Sequence, residues 1–92
     1  MTNVIVTLKI MPESVEVDLE NLKNKLLDII KEFAGEGDTK TEEEPIAFGL
    51  KALKILFIMD ESLGSTETLE ESIKAVEGIQ SVEVTDVRRA IG

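Results

Sequence analysis

Twice along the chain, the spacing of hydrophobic residues changes from a period of two to a period near 3.6 and back again, and this pattern constrains the fold most. Residues 3–11 place Val, Ile and Leu at every second position, which is typical of a half-buried β-strand. A stripe of six hydrophobic residues at intervals of three and four predicts an amphipathic helix, and its members are Leu19, Leu22, Leu26, Ile29, Ile30 and Phe33. Asp18 precedes this run as a candidate N-cap, and two glycines follow it.

The second half of the chain repeats the change of period. Residues 39–44 favour a charged edge strand, the apolar residues 45–49 a hairpin connection, and residues 50–59 a central strand with nearly continuous hydrophobicity. A second helix is predicted from Ser65 or Thr66 to Glu77, and a last strand follows over residues 79–88.

The predicted order is therefore β-α-β-β-α-β. Two right-handed βαβ crossovers linked by a hairpin give an α+β fold, the ferredoxin-like sandwich. It has a four-stranded antiparallel sheet with two helices on one face. The first and third strands would be central, and the charged second and fourth strands would form the edges. We expect residues 1–92 to make a single domain, because a chain of this length supports only one core.

The charge of the chain excludes several classes of partner. Nineteen acidic residues against ten basic ones give a net charge of −9. A nucleic-acid binder needs a surplus of Lys and Arg to neutralise phosphates, so direct binding to DNA, RNA or an anionic membrane is not expected. A protein partner with a basic surface is the natural complement.

The chain contains neither cysteine nor histidine. This removes disulfides, thiol nucleophiles, the usual general base at neutral pH and the commonest metal ligands. The N-terminal residues do not resemble a signal peptide, and no apolar run reaches the roughly 20 residues that span a membrane. We therefore expect a soluble cytoplasmic protein with no catalytic residues and no cofactor.

Glu42, Glu43 and Glu44 are the one acidic run that could bind a hard cation such as Mg²⁺ or Ca²⁺. Neighbouring residues on a strand point to opposite faces, so the three carboxylates would not converge. A solvated edge strand is the better interpretation, and no metal site is predicted.

Two features leave alternatives open. Phe48 lies between small residues in the predicted hairpin connection, where the ring either folds inward to cap the core or projects as a binding residue. Arg88 and Arg89 place two positive charges near the end of an acidic chain. They are either an exposed C-terminus without consequence or a basic contact group.

The segment Pro45–Leu53, PIAFGLKAL, resembles the central motif of the elongation factor 1-beta family, in its short archaeal form. Residues 4–12, 76–78 and 81–84 are also similar to that family, so the resemblance covers essentially the whole chain. It implies the fold already derived. It also implies a single exchange domain, without the N-terminal region that docks other subunits in eukaryotic members.

The resemblance implies roles for three residues. The family's motif Phe, here Phe48, packs against the second, β-barrel domain of the partner. A Lys near the family's C-terminus reaches toward the magnesium and phosphate end of the nucleotide site, and alignment through Gln80 places Arg89 there, with Arg88 beside it. The arginine side chain ends in a planar guanidinium group with several hydrogen-bond donors, whereas the lysine ammonium acts as a point charge, so the two are not interchangeable. Residues 90–92 follow, which is a further departure from the family pattern.

The resemblance thus predicts a non-enzymatic guanine-nucleotide exchange factor. It would promote GDP release from elongation factor 1-alpha so that GTP can rebind during translation elongation, and it would be a monomer when free. The alternative on the same fold is a regulatory module that senses a small molecule or dimerises.

Overall fold

The computed structural model describes residues 3–35 and 37–89, and there the predicted element order is confirmed. A single 3₁₀ turn, Glu61–Leu63, precedes the second helix. The elements are β1 (Asn3–Pro12), α1 (Leu19–Ala34), β2 (Thr39–Ala47), β3 (Leu50–Asp60), α2 (Glu67–Lys74) and β4 (Ile79–Arg89).

The four strands form one sheet in the order β2-β3-β1-β4, and every neighbouring pair is antiparallel. The central positions of β1 and β3 and the edge positions of β2 and β4 agree with the prediction. α1 packs against β3 and α2 against β4. Val6, Leu8, Ile10 and their β3 neighbours belong to one core cluster with the buried helix residues. The fold is therefore the ferredoxin-like α+β sandwich.

The helix α1 begins as the sequence predicts. The Asp18 carboxylate accepts hydrogen bonds from the backbone N–H groups of Glu20 and Asn21, at 3.1 and 3.2 Å. These bonds satisfy two of the free donors in the first turn and set the start of the helix.

The hydrophobic stripe of α1 is narrower than the sequence suggested. Leu22, Leu26 and Ile30 are buried, whereas the other three members of the predicted stripe are only half-buried at its margins. Those three are Leu19, Ile29 and Phe33. Positions 22, 26 and 30 recur every four residues, so they share the line that faces the sheet.

The helix α2 is shorter than predicted. The N-cap residue, Thr66, makes no capping bond with its side chain, and the Ser65 hydroxyl oxygen accepts a hydrogen bond from the Glu67 N–H at 3.1 Å. The helix ends at Lys74 and not at Glu77, because the Val76 N–H bonds to the Ile73 carbonyl, three residues back, and tightens the last turn.

The hairpin between β2 and β3 is also tighter than predicted. β2 continues through Pro45 to Ala47, which pairs with Leu50, so the connection is two residues long and not five. Proline is tolerated here because β2 is an edge strand. The register shifts between Pro45 and Ala47, which leaves Ile46 without a partner residue in β3.

Candidate functional site

Phe48 occupies the first position of the two-residue turn that joins β2 to β3. Its φ is 54° and that of Gly49 is 79°, and a type I′ hairpin turn requires positive φ at both positions. The Phe48 side chain is fully exposed, at 101% of its reference area. The alternative in which the ring folds inward to cap the core is therefore excluded.

The backbone of Phe48 is strained as well as exposed. It is the only non-glycine residue with positive φ among residues 3–35 and 37–89. A bulky side chain in this region is a conformational outlier that costs on the order of 1–3 kcal/mol. Asn or Gly would form the same turn without strain, so folding alone does not favour phenylalanine at this position.

Arg88 and Arg89 lie in the last two positions of β4. The strand ends at Arg89, one residue later than predicted. Arg88 is opposite Ile5 and Arg89 is opposite Val4, which packs against the core. Successive strand residues point to opposite faces, so Arg89 lies on the helix-bearing face and Arg88 on the open face.

Each arginine forms an ion pair at the protein surface. The Arg88 Nε atom lies 2.7 Å from Oδ2 of Asp86, two residues back on the same face. The Arg89 Nη2 atom lies 3.2 Å from Oε1 of Glu61, in the 3₁₀ turn. Both guanidinium groups remain largely exposed, so solvent screens these pairs and a partner can reach both cations.

A β-bulge decides which arginine faces the helices. Leu8 pairs with Val84 and Thr7 pairs with Asp86, so Thr85 is an extra residue in β4. Its hydroxyl donates to the Thr7 carbonyl at 3.4 Å. Uninterrupted alternation from Val84 would place Arg88 on the helix-bearing face, and the bulge gives that position to Arg89 instead.

The structure does not bring the three predicted residues together. Phe48 lies at the end of the sheet where β3 begins. Arg89 lies at the other end, since it pairs with Val4, which pairs with Met59 near the end of β3. The strand from Leu50 to Met59 separates them by about 30 Å, in a molecule whose longest dimension is 42 Å. The candidate site therefore has two ends.

The arginine end carries acidic neighbours that sequence reasoning missed. Glu61 falls between the predicted strand 50–59 and the second predicted helix, and its contact with Arg89 follows from strand pairing that no local motif reveals. The hydrogen bond from the Ser62 backbone N–H, 2.9 Å long, holds the pKa of the Asp60 carboxyl below its ordinary value of 3.8. Glu61 and Asp86 thus each pair with one of the two arginines, and Asp60 adds a carboxylate next to Glu61 along the chain.

The acidic run in β2 lies along the edge strand. Glu42 pairs with Lys40 at 3.8 Å and Glu43 with Lys51 at 3.7 Å, and the two carboxylates belong to successive positions of the strand. In the described part of the chain, no three acidic, His or Cys side chains are grouped to hold a metal ion. Within the same residues, no helix is long and apolar enough to cross a membrane.

Comparison with solved structures supports the fold. The de novo designed protein Foldit4 superposes with a TM-score of 0.63 at 20% identity, covering 98% of each chain. A putative antibiotic biosynthesis monooxygenase from Bacillus cereus superposes with a TM-score of 0.50 at 18% identity, covering 100% of this chain and 96% of the other. Identities this low show a common fold and nothing about activity.

Sequence comparison is more specific. A family model described as the EF-1 guanine nucleotide exchange domain matches residues 5–90. Elongation factor 1-beta of Methanothermobacter thermautotrophicus is 48% identical over 89 residues, which are 97% of this chain and 98% of that protein. The protein of the same name from Methanosphaera stadtmanae is 49% identical with the same coverage. That from Staphylothermus marinus is 44% identical over 90 residues, covering 97% and 98%. The similarity runs through both ends of the candidate site, and the chain belongs to the elongation factor 1-beta family.

Proposed function

We propose that this protein is a guanine-nucleotide exchange factor that promotes GDP release from elongation factor 1-alpha, so that GTP can rebind during translation elongation. Membership of a family whose shared unit is an exchange domain supports this function. In this proposal residues 1–92 act as one exchange domain, in the cytoplasm, and as a monomer when free. The protein works by binding and not by covalent chemistry, so it is not an enzyme.

The observation that carries the proposal is the exposed, strained Phe48 about 30 Å along the sheet from the arginines. An exposed aromatic ring on a rigid hairpin is a typical interface anchor, because it buries a large apolar area with little loss of side-chain freedom. In the proposal Phe48 packs against the β-barrel domain of elongation factor 1-alpha. The backbone strain at Phe48 is retained because the ring is needed at that point.

The arginine end acts on the nucleotide. A cation brought close to the bound Mg²⁺ destabilises the ion, and a guanidinium group can also hydrogen-bond the oxygens around it. Arg89 must leave Glu61 to do so, which costs little because exposed ion pairs contribute about 0–1 kcal/mol. The separation of the two ends lets one domain of the GTPase hold Phe48 while another receives the arginine.

Thermodynamic linkage explains how binding becomes exchange. A factor that binds the nucleotide-free GTPase more tightly than the GDP-bound form must weaken GDP binding by the same factor. Contact at two separate domains allows this difference, since the arginine end competes with Mg²⁺ and nucleotide while the Phe48 contact is present in either state. No group on the exchange factor needs to form or break a covalent bond.

Stopped-flow release of a fluorescent GDP analogue from purified elongation factor 1-alpha tests the proposal. Addition of this protein should accelerate release, and size-exclusion chromatography should show a complex with the nucleotide-free GTPase and a monomer when the protein is alone. Unchanged release together with self-association would contradict the proposal and favour the dimerising regulatory module.

A further inference from the structure

Phe48 is accompanied by two other exposed hydrophobic side chains at its end of the sheet. Ile46, at the register shift in β2, is 42% exposed, and Val15, in the loop between β1 and α1, is 60% exposed. The Val15 Cγ1 atom would lie 3.9 Å from a Cβ atom built on Gly49, so Val15 lies beside the hairpin turn. Val15, Ile46 and Phe48 together form what we call the apolar tip.

The two segments that carry the apolar tip are strongly acidic. Residues 13–18 and 42–51 contain six carboxylates and a single basic residue, Lys51, which pairs with Glu43. Asp18 caps α1 and Glu42 pairs with Lys40. The other three of these six carboxylates form no ion pair in the described part of the chain. We call them the acidic border: Glu13, Glu16 and Glu44.

We propose that the apolar tip and the acidic border form one docking surface, which enters an apolar pocket rimmed by Lys or Arg side chains on the partner protein. The inference rests on the proposed function for the identity of that partner, elongation factor 1-alpha. It adds Val15 and Ile46 as contact residues and gives the pocket a positively charged rim.

The chemistry of the surface selects this kind of partner. Three hydrophobic side chains drawn from two separate chain segments match a concave apolar site, in which the smaller two exclude water from around the aromatic ring. Unpaired carboxylates beside them would be repelled by an acidic rim and attracted by a basic one, so they orient the encounter. Nucleic acid does not fit, because its phosphates would meet the acidic border.

Removal of the smaller apolar contacts provides the first test. Isothermal titration calorimetry with nucleotide-free elongation factor 1-alpha should show that Val15→Ala and Ile46→Ala each weaken binding by about three- to tenfold. The matched control is Leu63→Ala, because Leu63 is a similarly exposed hydrophobic residue in the 3₁₀ turn at the other end of the sheet. This control should bind within about twofold of the wild type, a change below 0.5 kcal/mol.

Neutralising the acidic border provides the second test. Glu16→Gln combined with Glu44→Gln should lower the association rate by about threefold or more and flatten its dependence on salt. Glu67→Gln combined with Glu71→Gln removes the same charge from α2, where both residues are exposed, and should change the rate less.

The outcomes separate this inference from the function on which it rests. If Phe48→Ala weakens binding at least tenfold while Val15→Ala and Ile46→Ala bind like the wild type, Phe48 acts alone and the inference is wrong. If the two charge-neutralised variants lower the association rate equally, the partner's pocket has no basic rim. If the wild-type protein forms no complex with elongation factor 1-alpha, the proposed function fails and the inference fails with it.

Discussion

Phe48 and Arg89 mark opposite ends of the same sheet, about 30 Å apart along β3. Both residues are exposed, and at this separation no side chain among residues 3–35 and 37–89 contacts both of them. Substitutions at the two positions should therefore act independently, one on docking and the other on nucleotide release.

Phe48→Gly should stabilise the protein while weakening its binding. Glycine adopts a φ near +54° without strain, so the free energy of unfolding should rise by about 0.5–1 kcal/mol. Affinity for nucleotide-free elongation factor 1-alpha should fall by on the order of 2 kcal/mol, as for a lost aromatic hot spot. Urea denaturation and calorimetry measure the two effects. Phe57→Ala, in the core, is the contrast and should cost about 3–5 kcal/mol of stability. A comparable loss in Phe48→Gly would contradict the exposed position of the ring.

Arg88→Ala combined with Arg89→Ala should slow GDP release at least tenfold, which is about 1.4 kcal/mol of transition-state stabilisation. Affinity for the nucleotide-free GTPase should fall less, since the Phe48 contact remains. Stopped-flow release at several Mg²⁺ concentrations measures the effect. Arg89→Lys retains most of the activity if charge alone matters and loses it if the planar guanidinium is required. Normal release by the double variant, with the complex still forming, would show that the arginines have no role in exchange.

Glu61→Gln should accelerate exchange. The substitution removes the carboxylate that pairs with Arg89 and so frees the guanidinium for the partner. Since an exposed pair contributes up to about 1 kcal/mol, the gain should not exceed about fivefold. The effect should disappear when Arg89 is also replaced by alanine, and a double-mutant cycle on the release rate tests this dependence. A slower Glu61→Gln variant would mean that Glu61 positions Arg89 productively.

Leu26→Ala should destabilise the fold far more than Ile29→Ala. Leu26 is fully buried in the α1–sheet core, and its truncation should cost about 2–5 kcal/mol. Ile29 lies at the half-buried margin of the same helix, so a similar truncation should cost roughly half as much or less. The midpoints and slopes of urea denaturation distinguish them, and equal losses would place Ile29 at the centre of the stripe.

Ser62→Ala should raise the pKa of Asp60 only part of the way to 3.8. The largest cause of the lowered pKa is the hydrogen bond from the Ser62 backbone, which the substitution retains, while the side-chain bond is lost. A carboxyl with a lowered folded pKa contributes stability above its ordinary pKa and loses that contribution as the pH falls through the folded value. Carboxyl NMR titration of both proteins measures the shift, and an unchanged pKa would assign it to the backbone alone.

The fold followed from the hydrophobic pattern because each element repeats its own period over enough residues. The elements were identified correctly from the alternation in β1, the stripe of α1 and the apolar run of β3. The errors lay at the ends of elements. The end of α2 was placed too late because the bond from Val76 to Ile73 depends on local backbone geometry. The hairpin connection was predicted to begin at Pro45. An edge strand tolerates proline, so β2 continues through Pro45 to Ala47 and the connection is shorter.

The candidate site was less predictable than the fold. The sequence left both conformations of Phe48 open, and the two-residue turn excluded the inward one. The faces of Arg88 and Arg89 depend on Thr85, and nothing in the sequence VEVTDV distinguishes a bulged residue from a paired one. The contact of Arg89 with Glu61 joins residues 28 positions apart and requires the complete sheet.

The bulge at Thr85 adds one residue to β4 without changing the faces on which the following residues lie. Deleting Thr85 would leave Val84 opposite Leu8 and Asp86 opposite Thr7 as regular neighbours, so Arg89 would keep its face. Deleting a paired residue such as Asp86 while the bulge persists would reverse the faces of all residues that follow. Relatives one residue shorter at this point would thus keep the same presentation of the basic end. Counting forward along β4 from a residue before the bulge is therefore a poor guide to the face on which a later residue lies, and counting from the pairing with β1 is a sound one.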